Sequence, residues 1–170
     1  MAKVRDQQRS KVYAWEYAVC HKGYTKPNGF RGKLTEKQAQ TLIKKAFDYW
    51  FRKDHSSREL PRVTFRQTTN ALAYEHYRIN LPNWALYEPS VVLHESAHAI
   101  QSKLLIHIIS GVKYDIDENY KVNDGGHGPN FCRIYIELLG HFEKHNRAEL
   151  ARSAKASKIK ITPASKVPRP

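Results

Sequence analysis

The chain has 170 residues, 26% of them charged, and a formal net charge of +13. That length suits one domain with a modest core, and the charge favours polyanionic partners while saying nothing about the fold. Two cysteines far apart, Cys20 and Cys132, argue against a disulfide framework or a Cys-based zinc ribbon and read as small buried residues.

The N-terminal MAKVRDQQRSKV is charged and has no apolar segment behind it, so no secretory signal is expected and the cytoplasm is the default compartment. The longest apolar run, Leu104 to Ile109, is broken by His107, so neither a membrane span nor a membrane partner is expected. Asp6 to Cys20 reads as a first helix, with Val12, Trp15, Tyr17, Ala18 and Val19 on a loosely helical apolar face. HKGYTKPNGFRGK is a loop rich in Gly, Pro and Asn. Thr35-Glu36-Lys37-Gln38 matches a capping box. The helix it opens runs to about Lys53, with Ala39, Leu42, Ile43, Ala46, Phe47 and Trp50 at three and four spacing.

The period then changes. Arg62 to Arg66 alternates polar and apolar, as a half-buried strand does. A turn near Thr69-Asn70 leads to a second alternating strand, Leu72 to Leu81, and the two are expected to pair as a hairpin. Pro89 suits the first turn of a third helix, Ser90 to Ile108. Residues 112–128 are polar and irregular, and Pro129 opens a fourth helix to about Leu139.

From roughly Asn146 the sequence turns to Ala, Ser, Lys and Pro, without large apolar residues at helical spacing. A mobile tail is expected there. Eight Lys/Arg against one Glu lie between Lys144 and Pro170, and eight against one Asp and one Glu between Met1 and Lys33. The expected organisation is one folded domain over residues 1–146 followed by a basic, disordered tail over 147–170.

The third helix contains His94-Glu95-Ser96-Ala97-His98, an HExxH. On a helix, residues i and i+4 share one face, so two imidazoles can converge on one zinc ion. Glu95 sits beside them, placed to take a proton from a zinc-activated water as it attacks a carbonyl. The motif arises by chance in roughly 3 of 100 chains of this composition, so its setting decides. Here Val92, Leu93, Ala97, Ile100, Leu104 and Leu105 surround it with the apolar residues of an amphipathic helix.

A catalytic zinc takes three protein ligands and keeps one open position. The best third ligand is His127, in Gly125-Gly126-His127-Gly128-Pro129-Asn130-Phe131. The glycines allow a tight approach and Pro129 starts a helix that can hold the ligand. Its competitors are Glu137, His141 and His145; the last two read as a solvated helix end. His107 lies on a different face of the helix from His98 and reads as a core-edge residue, and His21, His55 and His76 have no partners in sequence. A carboxylate orienting a ligand imidazole is expected among Asp115, Asp117, Glu118 and Asp124, and an oxyanion donor among Tyr114, Tyr120 and His76.

VVLHESAHAI followed by GGHGPNF and a helix resembles the SprT-like zinc metallopeptidases, related in core to the minigluzincins. In that family an HExxH helix is followed by a histidine in an HGxxF or HGxxW setting, matched here by His127-Gly128-Pro129-Asn130-Phe131. The N-terminal RDQQRSKVYAWE also resembles the opening of a small metallohydrolase family of actinobacteria and their phages. The likeness reaches from about Asp6 to Gly140. It implies an α+β fold: a small zincin-like core with a short antiparallel sheet, an HExxH active-site helix and flanking helices. It carries over His94, His98 and His127 as ligands of one zinc per chain and Glu95 as general base. It also implies that the strand Leu72 to Leu81 is a sheet edge lining the cleft, to which an extended peptide substrate could add.

SprT-like proteins often carry a C-terminal zinc ribbon that contacts DNA, for which this chain lacks the cysteines. Lys155, Lys158, Lys160, Lys166 and Arg169 could substitute electrostatically and make nucleic acid a partner. The leading expectation is a zinc metalloendopeptidase acting on protein or peptide. Two alternatives stay open: a zinc hydrolase of a small amide or ester, and a nucleic-acid-binding module whose metal site is structural or vestigial. A closed pocket would favour the first alternative, and salt-sensitive DNA binding without hydrolysis the second.

Overall fold

The structure is a computed structural model that describes residues 6, 8–21, 33–51, 60–67, 70–74, 77–109 and 126–167, with the backbone alone at 21, 74 and 107–109. In chain order the described elements are α1 (Arg9–Glu16), a π-helical turn (Tyr17–His21), α2 (Glu36–Phe51), β1 (Arg62–Arg66), β2 (Leu72–Tyr74), β3 (Arg78–Pro82), a 3₁₀ turn (Asn83–Tyr87), α3 (Pro89–Ile109), α4 (Pro129–Phe142), α5 (Arg147–Ala156) and a second 3₁₀ turn (Ala164–Lys166). The fold is α+β. Its residues fall into two compact units: Phe30–Asp115 with Arg169–Pro170, and Met1–Gly29 with Ile116–Pro168. Among the described residues no helix is long and apolar enough to cross a membrane.

In the first of these units α2 begins at a reciprocal capping box. The N–H of Thr35 donates to Gln38 Oε1 at 2.8 Å, and the N–H of Gln38 donates to Thr35 Oγ1 at 3.2 Å. Two of the amide donors at the helix start are thereby satisfied. The expected stripe from Ala39 to Trp50 is buried, and α2 packs on α3.

The three strands form a mixed sheet in the order β1-β3-β2. β1 runs parallel to β3, with Val63 opposite Ile79 and Phe65 opposite Leu81. β2 runs antiparallel to β3, with Ala73 opposite Ile79. This corrects two expectations. The sheet is not wholly antiparallel, and Leu72 to Leu81 is not one strand paired with Arg62–Arg66. The chain reverses between β2 and β3, and the segment folds on itself as a short hairpin. Period-2 alternation continues through a tight hairpin, so the pattern reads as one strand where there are two. β3 is therefore the central strand, with Ile79 and Leu81 fully buried, and β2 rather than the whole segment is an edge. α3 packs against β2 and β3.

The second unit joins α1, α4 and α5. Gly128 stands at the N-cap of α4 and Pro129 in its first turn, as expected. α5 overturns the mobile tail. Asn146 caps it, its Oδ1 accepting from the N–H groups of Ala148 and Glu149 at 3.0 and 3.2 Å. Leu150 and Ala154, one turn apart, are buried, and α5 packs on both α1 and α4. Trp15 Nε1 donates to Ser153 Oγ at 2.9 Å. The buried stripe of α5 is narrow, consisting of Leu150 and Ala154.

α5 ends in a Schellman arrangement. The N–H of Ile159 donates to Ala154 O and that of Lys158 to Lys155 O. Lys158 takes the left-handed conformation usually given to glycine, with φ 57°, and Ile159 beyond it is buried. The chain then returns to α4, where the N–H of Thr162 donates to Pro129 O at 3.1 Å and Thr162 Oγ1 donates to Asn130 Oδ1 at 2.7 Å.

Candidate metal centre

Helical spacing places His94 and His98 one turn apart on α3. Their Nε2 atoms are 3.2 Å apart, with ring centroids at 4.9 Å. Two nitrogens bound tetrahedrally to one zinc at about 2.0–2.1 Å stand about 3.3 Å from each other. The pair therefore already holds the spacing of two ligands of one ion.

The helix differs from the amphipathic one expected. Val92, Leu93, Ser96, Ala97, Ala99 and Ile100 are all fully buried, so at the level of the motif only a narrow face of α3 through Val91 and His98 is partly exposed. Within that apolar stretch His94 is 2% and Glu95 5% exposed, while His98 is half-exposed. An imidazole and a carboxylate enclosed in an apolar helix need compensating partners or a ligand, because burial alone disfavours both.

His127 stands just before α4 in a socket built by the N-terminal segment. Its Nδ1 meets Asp6 Oδ2 at 2.5 Å. The N–H of Gln8 donates to the other oxygen, Asp6 Oδ1, at 3.3 Å. Tyr13 and Phe131 contact the imidazole edge-to-face, each with ring centroids at 5.0 Å. The backbone carbonyl of His127 accepts from Gln8 Nε2 at 3.0 Å. The same Gln8 side chain reaches Lys160, donating to its carbonyl at 3.3 Å and accepting from its N–H at 2.5 Å. α1 accordingly has no side-chain N-cap, since Gln8 at that position is engaged elsewhere. A Cβ on Gly126 would lie 3.2 Å from Asp6 Oδ2, tighter than an ordinary contact, so a residue without one suits the close carboxylate.

One nitrogen from each of His94, His98 and His127 lies within 4.8 Å of the others, close enough for the three to bind a metal ion. Among the described residues this is the only such group of three or more His, Cys, Asp or Glu. Three neutral imidazoles suit zinc and other borderline divalent ions.

The other candidates go elsewhere. Glu137 is buried and ion-paired with Arg147 Nε at 3.0 Å, with Arg133 at 3.6 Å. His145 is not at a solvated helix end: it is 6% exposed, with Nε2 at 3.4 Å from Glu143 Oε2, whereas His141 is half-exposed. Cys20 and Cys132 are both buried, as expected. Asp115, Asp117, Glu118, Asp124, Tyr114, Tyr120, His55 and His76 lie outside the described residues, as do the side chains of His21 and His107. Asp6, which does reach a candidate ligand, carries no local signal of doing so; its one mark in the sequence is its place in the N-terminal RDQQ stretch.

No protein-family model, curated protein or solved structure matches the chain.

Proposed function

We propose that the chain is a zinc-dependent metalloendopeptidase of the SprT-like or minigluzincin kind. The observation that carries this reading is the grouping of His94, His98 and His127, with Glu95 buried next to the first of them. Three imidazoles would leave the fourth position of a tetrahedral shell for water or substrate. Zinc held there supplies Lewis acidity, polarising a carbonyl and acidifying a water. Glu95 accepts the proton of the attacking water and passes it to the leaving amine. Its place at i+1 from His94 keeps it off the ligand face of the helix while leaving it within the same turn.

The substrate is a protein or peptide in extended form. β2 is a sheet edge packed against α3, and a strand adding to it by main-chain bonding would lie beside the motif helix. Nucleic acid is a further partner to test, through the exposed Arg152, Lys155, Lys158 and Lys160; DNA retention that falls with salt is the corresponding check.

The deciding experiment pairs metal content with hydrolysis. The purified protein is expected to hold one zinc per chain and to cleave an unfolded protein substrate. Glu95→Gln is expected to keep the zinc and lose activity by about 100-fold or more. Cleavage at the wild-type rate by that variant would refute the assignment of Glu95.

A further inference from the structure

A histidine offers a metal one of two nitrogens, and the hydrogen bond made by the other decides which. His127 Nδ1 faces Asp6 Oδ2 at 2.5 Å, a close hydrogen-bonded contact. A carboxylate only accepts, so Nδ1 carries the proton and the lone pair is on Nε2. We propose that Asp6 is the positioning residue of the third ligand, fixing the tautomer and the ring orientation with which His127 presents Nε2 to the ion. The inference rests on reading the three histidines as a metal site.

The arrangement is built rather than incidental. Asp6 is itself oriented, one oxygen held by the N–H of Gln8 and the other on the imidazole. The ring cannot swing freely, because Tyr13 and Phe131 each lie edge-to-face with it. The backbone of His127 is tied by Gln8, which also ties Lys160. Gly126 leaves room for the carboxylate. His127 is 5% exposed, and the Asp6 side chain keeps 25% of its surface in solvent. The N-terminal stretch thus acquires a chemical role, since Asp6, Gln8 and Tyr13 all act on one histidine. Carboxylates that orient metal-bound imidazoles raise ligand basicity, and their loss typically weakens metal affinity by about 10–100-fold.

Zinc affinity of the full chain, measured by competition with a chromogenic chelator, tests this. Wild type, Asp6→Ala, Asp6→Asn, His127→Ala and the double variant Asp6→Ala/His127→Ala are compared. Asp6→Ala is expected to bind zinc about 10–100-fold more weakly, with Asp6→Asn, which keeps an acceptor, in between. The double variant is expected to bind no more weakly than His127→Ala, because Asp6 acts through that imidazole. The visible spectrum of the cobalt-loaded protein should change in Asp6→Ala, a readout that general destabilisation would not produce. Should the alanine variant fail to fold, the isosteric Asp6→Asn decides alone, and wild-type affinity there overturns the proposal. Wild-type affinity in Asp6→Ala alongside loss in His127→Ala overturns the role of Asp6 and leaves the three-histidine site standing. Wild-type affinity in His127→Ala overturns both.

Discussion

The phenol of Tyr135 donates to the buried carboxylate of Glu16 at 2.6 Å, joining α4 to α1 in the interior. Burial comes first among the causes that push the Tyr135 hydroxyl well above its ordinary value near 10.0, followed by the nearby Cys20 and Glu16. Because the folded-state pKa is raised, the stabilisation is fully present below the unfolded value and is lost as pH climbs above about 10 toward the folded one. Tyr135→Phe removes a donor to a buried carboxylate and should cost about 1–3 kcal/mol at neutral pH. The variant should also show a shallower loss of stability above pH 10 in urea melts. A wild-type-like alkaline profile in Tyr135→Phe would mean that this pair does not set the alkaline limit.

Gly140 lets Arg147 cross α4. A Cβ there would lie 2.4 Å from Arg147 Cγ and 2.8 Å from its Nε. Those atoms lead to the ion pair with buried Glu137. Gly140→Ala would normally favour a helix interior by roughly 0.5–1 kcal/mol. Here displacement of Arg147 opposes that gain, and overpacking typically costs about 1–3 kcal/mol. A net fall in the thermal midpoint is expected. In an Arg147→Ala background, where the clash is absent, the same change should stabilise.

Removal of residues 147–170 separates an ordered segment from a mobile one. The deletion strips Leu150, Ala154, Ile159 and Val167 from the interior and the Ser153 acceptor from Trp15. It also removes the Lys160 bonds to Gln8 and the Thr162 bonds to α4. The truncated chain is expected to lose its cooperative melt or its solubility. An unchanged melting temperature would mean that α5 contributes nothing to stability.

Metal binding should be visible as stability. A ligand that binds only the folded state at 100 times its dissociation constant adds about 2.7 kcal/mol. Added zinc should therefore raise the melting temperature of the wild type, and a chelator should reverse the shift. His98→Ala should abolish the response while leaving the metal-free melt nearly unchanged, because His98 is the half-exposed member of the three. A response undiminished in His98→Ala would show that zinc binds elsewhere.

The geometry legible from spacing in the sequence concerns neighbours along the chain. The Thr35–Gln38 capping box, the start of α4 at Gly128-Pro129 and the shared face of His94 and His98 each follow from spacings of one to four residues. At that range the 3.6-residue period of the helix fixes the geometry whatever surrounds it. The tertiary structure decided what depends on distant partners. Alternation from Leu72 to Leu81 is the same for one strand as for a hairpin, and only pairing with β1 on one side of β3 and β2 on the other tells them apart. Leu150 and Ala154 are too few to announce a buried face until α1 and α4 cover it. Asp6 meets His127 across 121 positions, and Gln8 meets the same residue across 119. No local periodicity encodes such contacts, because they arise where the chain returns upon itself.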